Sequence, residues 1–171
     1  GYAYIAICDH SQAAKYAPAE WEAANNAVNA VNAEVEAQAQ KFALFRSYKK
    51  AQELTAAATQ AAATAQEAAV AGKEKAMNEA QVAVDAAKAA VTAAEELYAE
   101  LGKCRRQPKD FKKDMEMMRG NLDGLVAQIG GLDSAFASED YFGAKAQAES
   151  LKGQLDMLTA DMQGAKEKIK C

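Results

Sequence analysis

The chain contains few of the residues from which catalytic and metal sites are usually built. Its 171 residues include one histidine and three cysteines. The triplet Cys8-Asp9-His10 offers two metal ligands in a Cys-x-His spacing, whereas a structural zinc site takes four. We therefore predict no catalytic residue, no bound metal and no cofactor, and an enzyme or a metal-binding bundle is the least favoured class of function.

Long apolar runs and an excess of positive charge are also missing. No run reaches the roughly 20 apolar residues of a membrane-spanning helix, so we predict no transmembrane segment. The formal net charge of -4 at pH 7 argues against nucleic-acid binding, because affinity for a phosphate backbone comes from basic residues. The apolar stretch at residues 2–8 is too short for an intact signal peptide, and the start at Gly1 suggests a trimmed form. We expect residues 2–7 to pack on a helix or on a neighbouring molecule.

Alanine, by contrast, is abundant, with 43 residues, of which 35 lie before position 100. Alanine favours the helix strongly but buries little apolar area. The larger apolar residues Leu, Met, Ile and Phe are concentrated after position 100. This contrast predicts thin, closely spaced helices in the first part of the chain and a thicker core in the second.

Four segments place apolar residues at alternating steps of three and four, the period of a coiled-coil seam. Pro18 and Pro108 each precede such a segment, where the first helical turn tolerates a residue without an N–H. The first seam contains Trp21, Ala24, Val28, Val31, Val35 and Phe42 and is broken only at Gln38, and the last contains Tyr141, Ala144, Ala148, Leu151, Leu155, Leu158, Met162, Ala165 and Ile169. Each seam has to be buried against another helix.

Local signals mark the predicted helix ends. Helix one is expected at about residues 17–41, and helix two ends at Gly102, where glycine suits the left-handed position after a helix. Within helix two the seam slips by one residue past Gly72 and resumes at Met77, so we expect a bend there. Helix three begins its seam at Phe111, and Ser138 is the N-cap candidate for helix four.

These patterns predict an all-α fold, an elongated antiparallel bundle or coiled coil of four helices with a long second helix. The predicted divisions are an apolar, irregular N-terminal tail at residues 1–16, an alanine-rich helical hairpin at 17–72 and a three-helix bundle at 73–171. Because alanine seams bury little area, a second chain is often needed to complete them, which makes a homodimer one expected form.

Basic residues crowd the turn between helices two and three and the end of helix four, which should return to the same end of the bundle. This basic cluster consists of Lys103, Arg105, Arg106, Lys109, Lys112, Lys113, Lys166, Lys168 and Lys170. One interpretation is that these charges complement the helix dipoles at the ends of helices two and four. The other is that they dock the protein on an anionic surface, such as lipid headgroups, a cell-wall polymer or an acidic protein patch.

The three cysteines form at most one internal pair and leave one thiol over. Helix two ends near Cys104, helix three leads away from that end and helix four returns, so Cys171 is predicted to lie beside Cys104. A Cys104–Cys171 disulfide would place the protein in an oxidising compartment and leave Cys8 as the free thiol. The alternative is a cytoplasmic protein with three reduced cysteines.

Two short stretches carry a resemblance to known proteins: Tyr16-Ala17-Pro18-Ala19-Glu20-Trp21 at the first helix, and Tyr48-x-x-Ala51-x-x-Leu54-x-x-x-Ala58 in the second. Over about residues 13–70 the chain resembles a family of bacterial cell-envelope proteins of unknown function, many of them lipoproteins, built on an alanine-rich helical hairpin. The resemblance implies export to the periplasm or cell envelope and no known activity. One departure is Ile7, which precedes Cys8 where a lipoprotein signal has a small residue, and it argues against lipid attachment there.

The function predicted from the sequence is a non-enzymatic scaffold, spacer or binding protein of the bacterial cell envelope. A holdase-like or protective helical chaperone is the alternative, in which loosely packed alanine-rich helices shield unfolding proteins. The expected partners are another protein or a second copy of the chain, with an anionic lipid or cell-wall surface at the basic cluster.

Overall fold

The computed structural model describes residues 10–105 and 108–171, so Cys8, the apolar stretch at residues 2–7 and Arg106 lie outside the described residues. Helix accounts for 88% of the described residues and no strand occurs among them, which confirms the all-α class. The helices are α1 (His10–Tyr16), α2 (Pro18–Ala39), α3 (Lys49–Gly102), α4 (Phe111–Ala137) and α5 (Tyr141–Lys168), with a 3₁₀ turn at Ala43–Phe45 between α2 and α3. No helix in this part of the chain combines the length and the hydropathy of a membrane span.

The short helix α1 differs from the irregular tail predicted for residues 1–16. Its hydrogen bonding continues towards α2, because the Ala17 N–H donates to Ala13 O and the Trp21 N–H donates to Ala17 O, both at 2.9 Å. Ala13 and Ala17 are buried against Ala69 of α3. The prediction of an irregular tail is therefore wrong for residues 10–16. This helix is stabilised by the burial of Ala13 and Ala17 and not by a repeated apolar seam.

The chain forms two compact units whose boundary lies within α3, one extending to Lys75 and the other comprising residues 76–171. We call them the N-terminal and the C-terminal unit. In the N-terminal unit Ala24, Ala62 and Ala65 form a buried cluster against which Trp21 packs. Because each alanine contributes a single methyl group, such helices approach closely but bury little area.

Gly72 lies where α3 passes the end of α1. A Cβ atom at this position would overlap the carbonyl oxygen of Tyr16 and would come within 3.2 Å of the Tyr16 Cβ. Any residue other than glycine would therefore push the end of α1 away from α3.

The C-terminal unit has a core of large apolar side chains. Its largest fully buried side chains are Leu101, Leu122, Leu132, Leu155 and Met162. The seam predicted for helix four is confirmed, since every member is buried except Ala165, which is half-buried. Phe111 begins α4 as predicted and is buried in the same core.

Helix α3 continues without interruption through Gly72, and its buried face does not slip where the sequence predicts. The buried residues along this stretch are Ala58, Ala62, Ala65, Ala69, Ala76, Ala80, Val84 and Ala87. The step from Ala69 to Ala76 keeps the heptad, and Met77 is exposed. The change of phase by one residue occurs further along the helix, where two successive steps of four lead from Ala76 to Val84. The predicted position of the slip is wrong because Ala76, and not the larger Met77, faces the core.

Two predicted helix ends differ in detail. Helix α3 ends at Gly102, but no glycine among the described residues has a positive φ, so the predicted left-handed conformation is not adopted there. Helix α5 is capped by Asp140 and not by Ser138, because the Gly143 N–H donates to Asp140 Oδ1 at 3.2 Å. Glu139 takes the left-handed conformation, with φ of 59°, and this reverses the chain between α4 and α5.

Candidate functional site

A disulfide joins Cys104, just after α3, to Cys171, and their Cα atoms lie 5.4 Å apart. This is the pairing that the sequence predicts. Cys104 is buried in the core of the C-terminal unit, whereas Cys171 is exposed. The two cysteines are 67 residues apart in the sequence, and the bridge between them fixes the end of α3 to the end of α5.

The described members of the basic cluster lie in the chain segments next to the two cysteines and at the start of α4. They are Lys103 and Arg105 beside Cys104, Lys109, Lys112 and Lys113 at the start of α4, and Lys166, Lys168 and Lys170 near Cys171. All are exposed except Lys166, which is half-buried. Lys166 and Lys168 lie in the last turn of α5, where a positive charge is favourable to the helix dipole.

Acidic side chains are interspersed with these bases. Lys166 Nζ pairs with Glu100 Oε2 at 2.6 Å, and this hydrogen bond, together with the lysine charge, holds the pKa of Glu100 below its usual value. A groove of about 440 Å³ lies between the start of α4 and the end of α5. Its charged lining residues are Lys168, Asp110, Asp114 and Asp161. The basic cluster is therefore a surface of mixed charge, which weakens its attraction for an anionic polymer or bilayer.

The floor of this groove is apolar, with Phe111, Met118, Leu158 and Ile169 among its lining residues. Among the described residues that line it there is no serine, cysteine or histidine. Within the described ranges, no group of three or more His, Cys, Asp and Glu side chains is placed to hold a metal ion. The groove offers packing surface and charge.

A second surface, which the sequence analysis misses, lies at the corner between α2 and α3. Phe42, Leu44 and Phe45 are 79%, 87% and 76% exposed, and we call these three residues the apolar turn. The sequence places Val35 and Phe42 in the first seam. Both predictions are wrong, because Val35 is 41% exposed and Phe42 is 79% exposed. Helix α2 ends at Ala39, so the heptad pattern that would have placed Phe42 in the buried seam stops before Phe42 is reached.

Arg46 fixes the apolar turn to the end of α2. Its Nε donates to Lys41 O and its Nη2 donates to Ala39 O, both at 3.0 Å, which satisfies two carbonyl groups at the helix end. Within the turn the Phe45 N–H donates to Phe42 O at 2.8 Å. The backbone of the turn is therefore hydrogen-bonded although its side chains face water.

A buried glutamine supports the turn from beneath. Gln38 is 6% exposed; its Oε1 accepts from the Ser47 N–H at 3.1 Å, and its Nε2 donates to Glu34 Oε1 at 2.8 Å. Lys50 Nζ pairs with the other oxygen of Glu34 at 3.1 Å. The hydrogen bond from Gln38, followed by that from Lys50, lowers the pKa of Glu34. An amide is thus buried while three large apolar side chains are exposed, the reverse of the usual arrangement.

Basic residues outnumber acidic ones around the apolar turn, where Glu34 of α2 pairs with Lys50. Residues 37–52 contain Lys41, Arg46, Lys49 and Lys50 and no aspartate or glutamate. Tyr48 is 43% exposed beside them. The sequence signal for this surface is the tetrapeptide Phe-Ala-Leu-Phe between two basic residues, and it is hidden because Phe42 also fits the heptad.

No protein-family model, curated protein or solved structure matches the chain significantly. The resemblance to envelope proteins with an alanine-rich hairpin therefore stays a prediction, and the function is argued from geometry.

Proposed function

We propose that this chain is a non-enzymatic helical binding scaffold of the bacterial cell envelope, in which antiparallel helices hold a docking surface in a fixed position. The observation that carries the proposal is the apolar turn. A scaffold that acted only as a spacer would gain nothing from three large apolar side chains in water, and such patches mark interaction sites. The hydrogen bonds of Arg46 and Gln38 keep the turn in one conformation, as a docking element requires.

The envelope location is supported by the Cys104–Cys171 disulfide and by the resemblance of residues 13–70. Disulfides form and persist in oxidising compartments and are rare in the cytosol. A bacterial envelope protein of this kind would keep the bridge throughout its life.

The holdase alternative is less well supported. A holdase needs a broad apolar surface to cover unfolding proteins, whereas outside the apolar turn the most exposed large apolar residues of the described helices are single ones. They are Val70, Val82 and Met157, at 66%, 71% and 71% exposure.

The test uses the whole chain and two triple variants. One variant carries Phe42→Ser, Leu44→Ser and Phe45→Ser, and the matched control carries Val70→Ser, Val82→Ser and Met157→Ser. We expect the wild type and the control to sediment with a bacterial envelope fraction of membranes and wall, and the turn variant to stay in the supernatant. None of the three proteins should protect an unfolding test protein from aggregation. Stoichiometric suppression of aggregation without envelope binding would contradict the scaffold and favour the holdase.

A further inference from the structure

We propose that the apolar turn inserts into the interface of a bilayer that contains anionic lipid, with the surrounding basic residues on the headgroups. This inference rests on the proposed binding scaffold and names its partner. It assigns lipid binding to the corner between α2 and α3 and not to the basic cluster beside the disulfide.

The first argument is the kind of side chain exposed. Phe42, Leu44 and Phe45 lie within four residues of the chain, on a 3₁₀ turn that projects between two helix ends. Phenylalanine and leucine gain more from leaving water than most residues, and a compact turn can carry them together into the interfacial region.

The second argument is the hydrogen bonding of the backbone. An unsatisfied carbonyl or N–H group is costly to move out of water, and loops at membrane depth are therefore disfavoured. Here Ala39 O and Lys41 O accept from Arg46, and Phe42 O accepts from the Phe45 N–H. The turn can approach the acyl boundary with these carbonyls already paired.

The third argument is charge. Residues 37–52 carry four bases and no acid; Glu34 of α2 pairs with Lys50, which leaves an excess of basic residues, and Lys41 and Lys49 are exposed on either side of the turn. Lysine side chains can bury their methylene groups beside apolar residues while the ammonium group stays among headgroups. Anionic lipid complements this charge, whereas two copies of the turn would bring like charges together. The charge pattern therefore favours a bilayer over self-association at this surface.

The experiment measures flotation of the oxidised full chain with two kinds of vesicle, phosphatidylcholine alone and phosphatidylcholine mixed equally with phosphatidylglycerol. We expect binding to the mixed vesicles at low salt. The variant with serine at positions 42, 44 and 45 should bind at least about a hundredfold more weakly, because burial of each side chain is worth roughly tenfold or more in affinity. The control variant Val70→Ser/Val82→Ser/Met157→Ser should bind like the wild type.

A second pair of variants separates the two basic surfaces. Lys41→Gln with Lys49→Gln should weaken binding to the anionic vesicles by about fivefold per lysine and flatten its salt dependence. Lys109→Gln with Lys112→Gln, in the basic cluster, should leave binding unchanged. Loss with the second pair and not with the first would overturn the inference in favour of the basic cluster.

Insertion depth provides an independent readout. The wild type has one tryptophan, Trp21, which packs on buried alanines and should be little affected by brominated lipid. A Phe45→Trp variant should show strong quenching by brominated lipid and a blue-shifted emission. Absence of vesicle binding by the wild type, or binding without quenching at position 45, would overturn the inference. If the envelope fraction still bound through the turn, the scaffold would stand with a partner other than lipid.

Discussion

The two units of the chain use the same kind of helix packing with different core residues. In the described part of the N-terminal unit the buried apolar side chains are eight alanines and Val31. In the C-terminal unit they include eight leucines, Phe111, Met162 and a disulfide-bonded cysteine. Trp21 packs against this alanine core, whereas Phe42 and Phe45 lie outside it.

This difference shows that a high apolar content says little about where a helical protein is stable. Stability follows the apolar area removed from water, and a leucine removes far more than an alanine. We infer that the C-terminal unit is the stable part and that the N-terminal unit keeps Phe42, Leu44 and Phe45 for a partner.

Loss of the disulfide should have the largest effect. Replacing Cys104 and Cys171 together by serine should lower the free energy of unfolding by about 4 kcal/mol, because a loop of 67 residues is no longer closed in the unfolded chain. Urea denaturation of the variant and of the reduced wild type should agree. Hydrogen exchange should place the loss in α4 and α5, and equal loss in α1 and α2 would contradict independent stability of the units.

Core substitutions should distinguish the two units, because the C-terminal unit should be sensitive to a smaller side chain and the N-terminal unit to a larger one. Leu122→Ala, at a fully buried position, should cost about 2–5 kcal/mol through the cavity it leaves. In the N-terminal unit the sensitive change is the opposite one, and Ala65→Leu should cost about 1–3 kcal/mol by overpacking. Thermal denaturation of both variants measures this, and a stabilising Ala65→Leu would mean that the alanine core is loose.

Glycine substitutions should test the close approach of α1 to α3. Gly72→Ala should destabilise the N-terminal unit by about 1–3 kcal/mol, because the new methyl group would overlap the Tyr16 carbonyl. Gly131→Ala is the matched control, since nothing lies within 4 Å of its added Cβ, and it should stabilise α4 by about 0.5–1 kcal/mol. Equal effects in denaturant melts would refute the tight contact.

The cap of α5 should be measurable at two neighbouring residues. Asp140→Ala should cost about 1 kcal/mol, because the Gly143 N–H loses its acceptor. Ser138→Ala should cost much less, since its hydroxyl donates back to the Ala135 carbonyl and caps no N–H. Chemical denaturation of both variants decides between the structural cap and the one predicted from the sequence.

Acidification should have the smallest effect and should reach both units. The pKa of Glu34 and of Glu100 is lowered in the folded chain from the ordinary value of 4.5. Each carboxylate therefore stabilises the folded chain at pH values above 4.5, and this contribution to stability is lost as the pH falls through the lowered pKa. An NMR titration of the glutamate carboxyl carbons should show both midpoints below 4.5, and Lys50→Gln should raise that of Glu34 alone. A shift of the Glu100 midpoint in that variant would contradict this assignment.

Much of the fold follows from local pattern. The seams of α4 and α5 are regular, their residues are large, and the loop between them is short, so the periodicity alone identifies the core of this pair. The same regularity predicts the meeting of Cys104 with Cys171, because two helices of similar length lead away from one end and back to it.

The helical class, the four long helices and the disulfide partner follow from the sequence alone, since these depend on period, helix propensity and segment length. Tertiary packing, in contrast, determines that Phe42, Leu44 and Phe45 face water and that Asp140 caps α5. These outcomes depend on where α2 stops and on which carbonyl and N–H groups Arg46 and Gln38 reach across the corner. A heptad pattern contains neither piece of information, because it assumes that the helix continues.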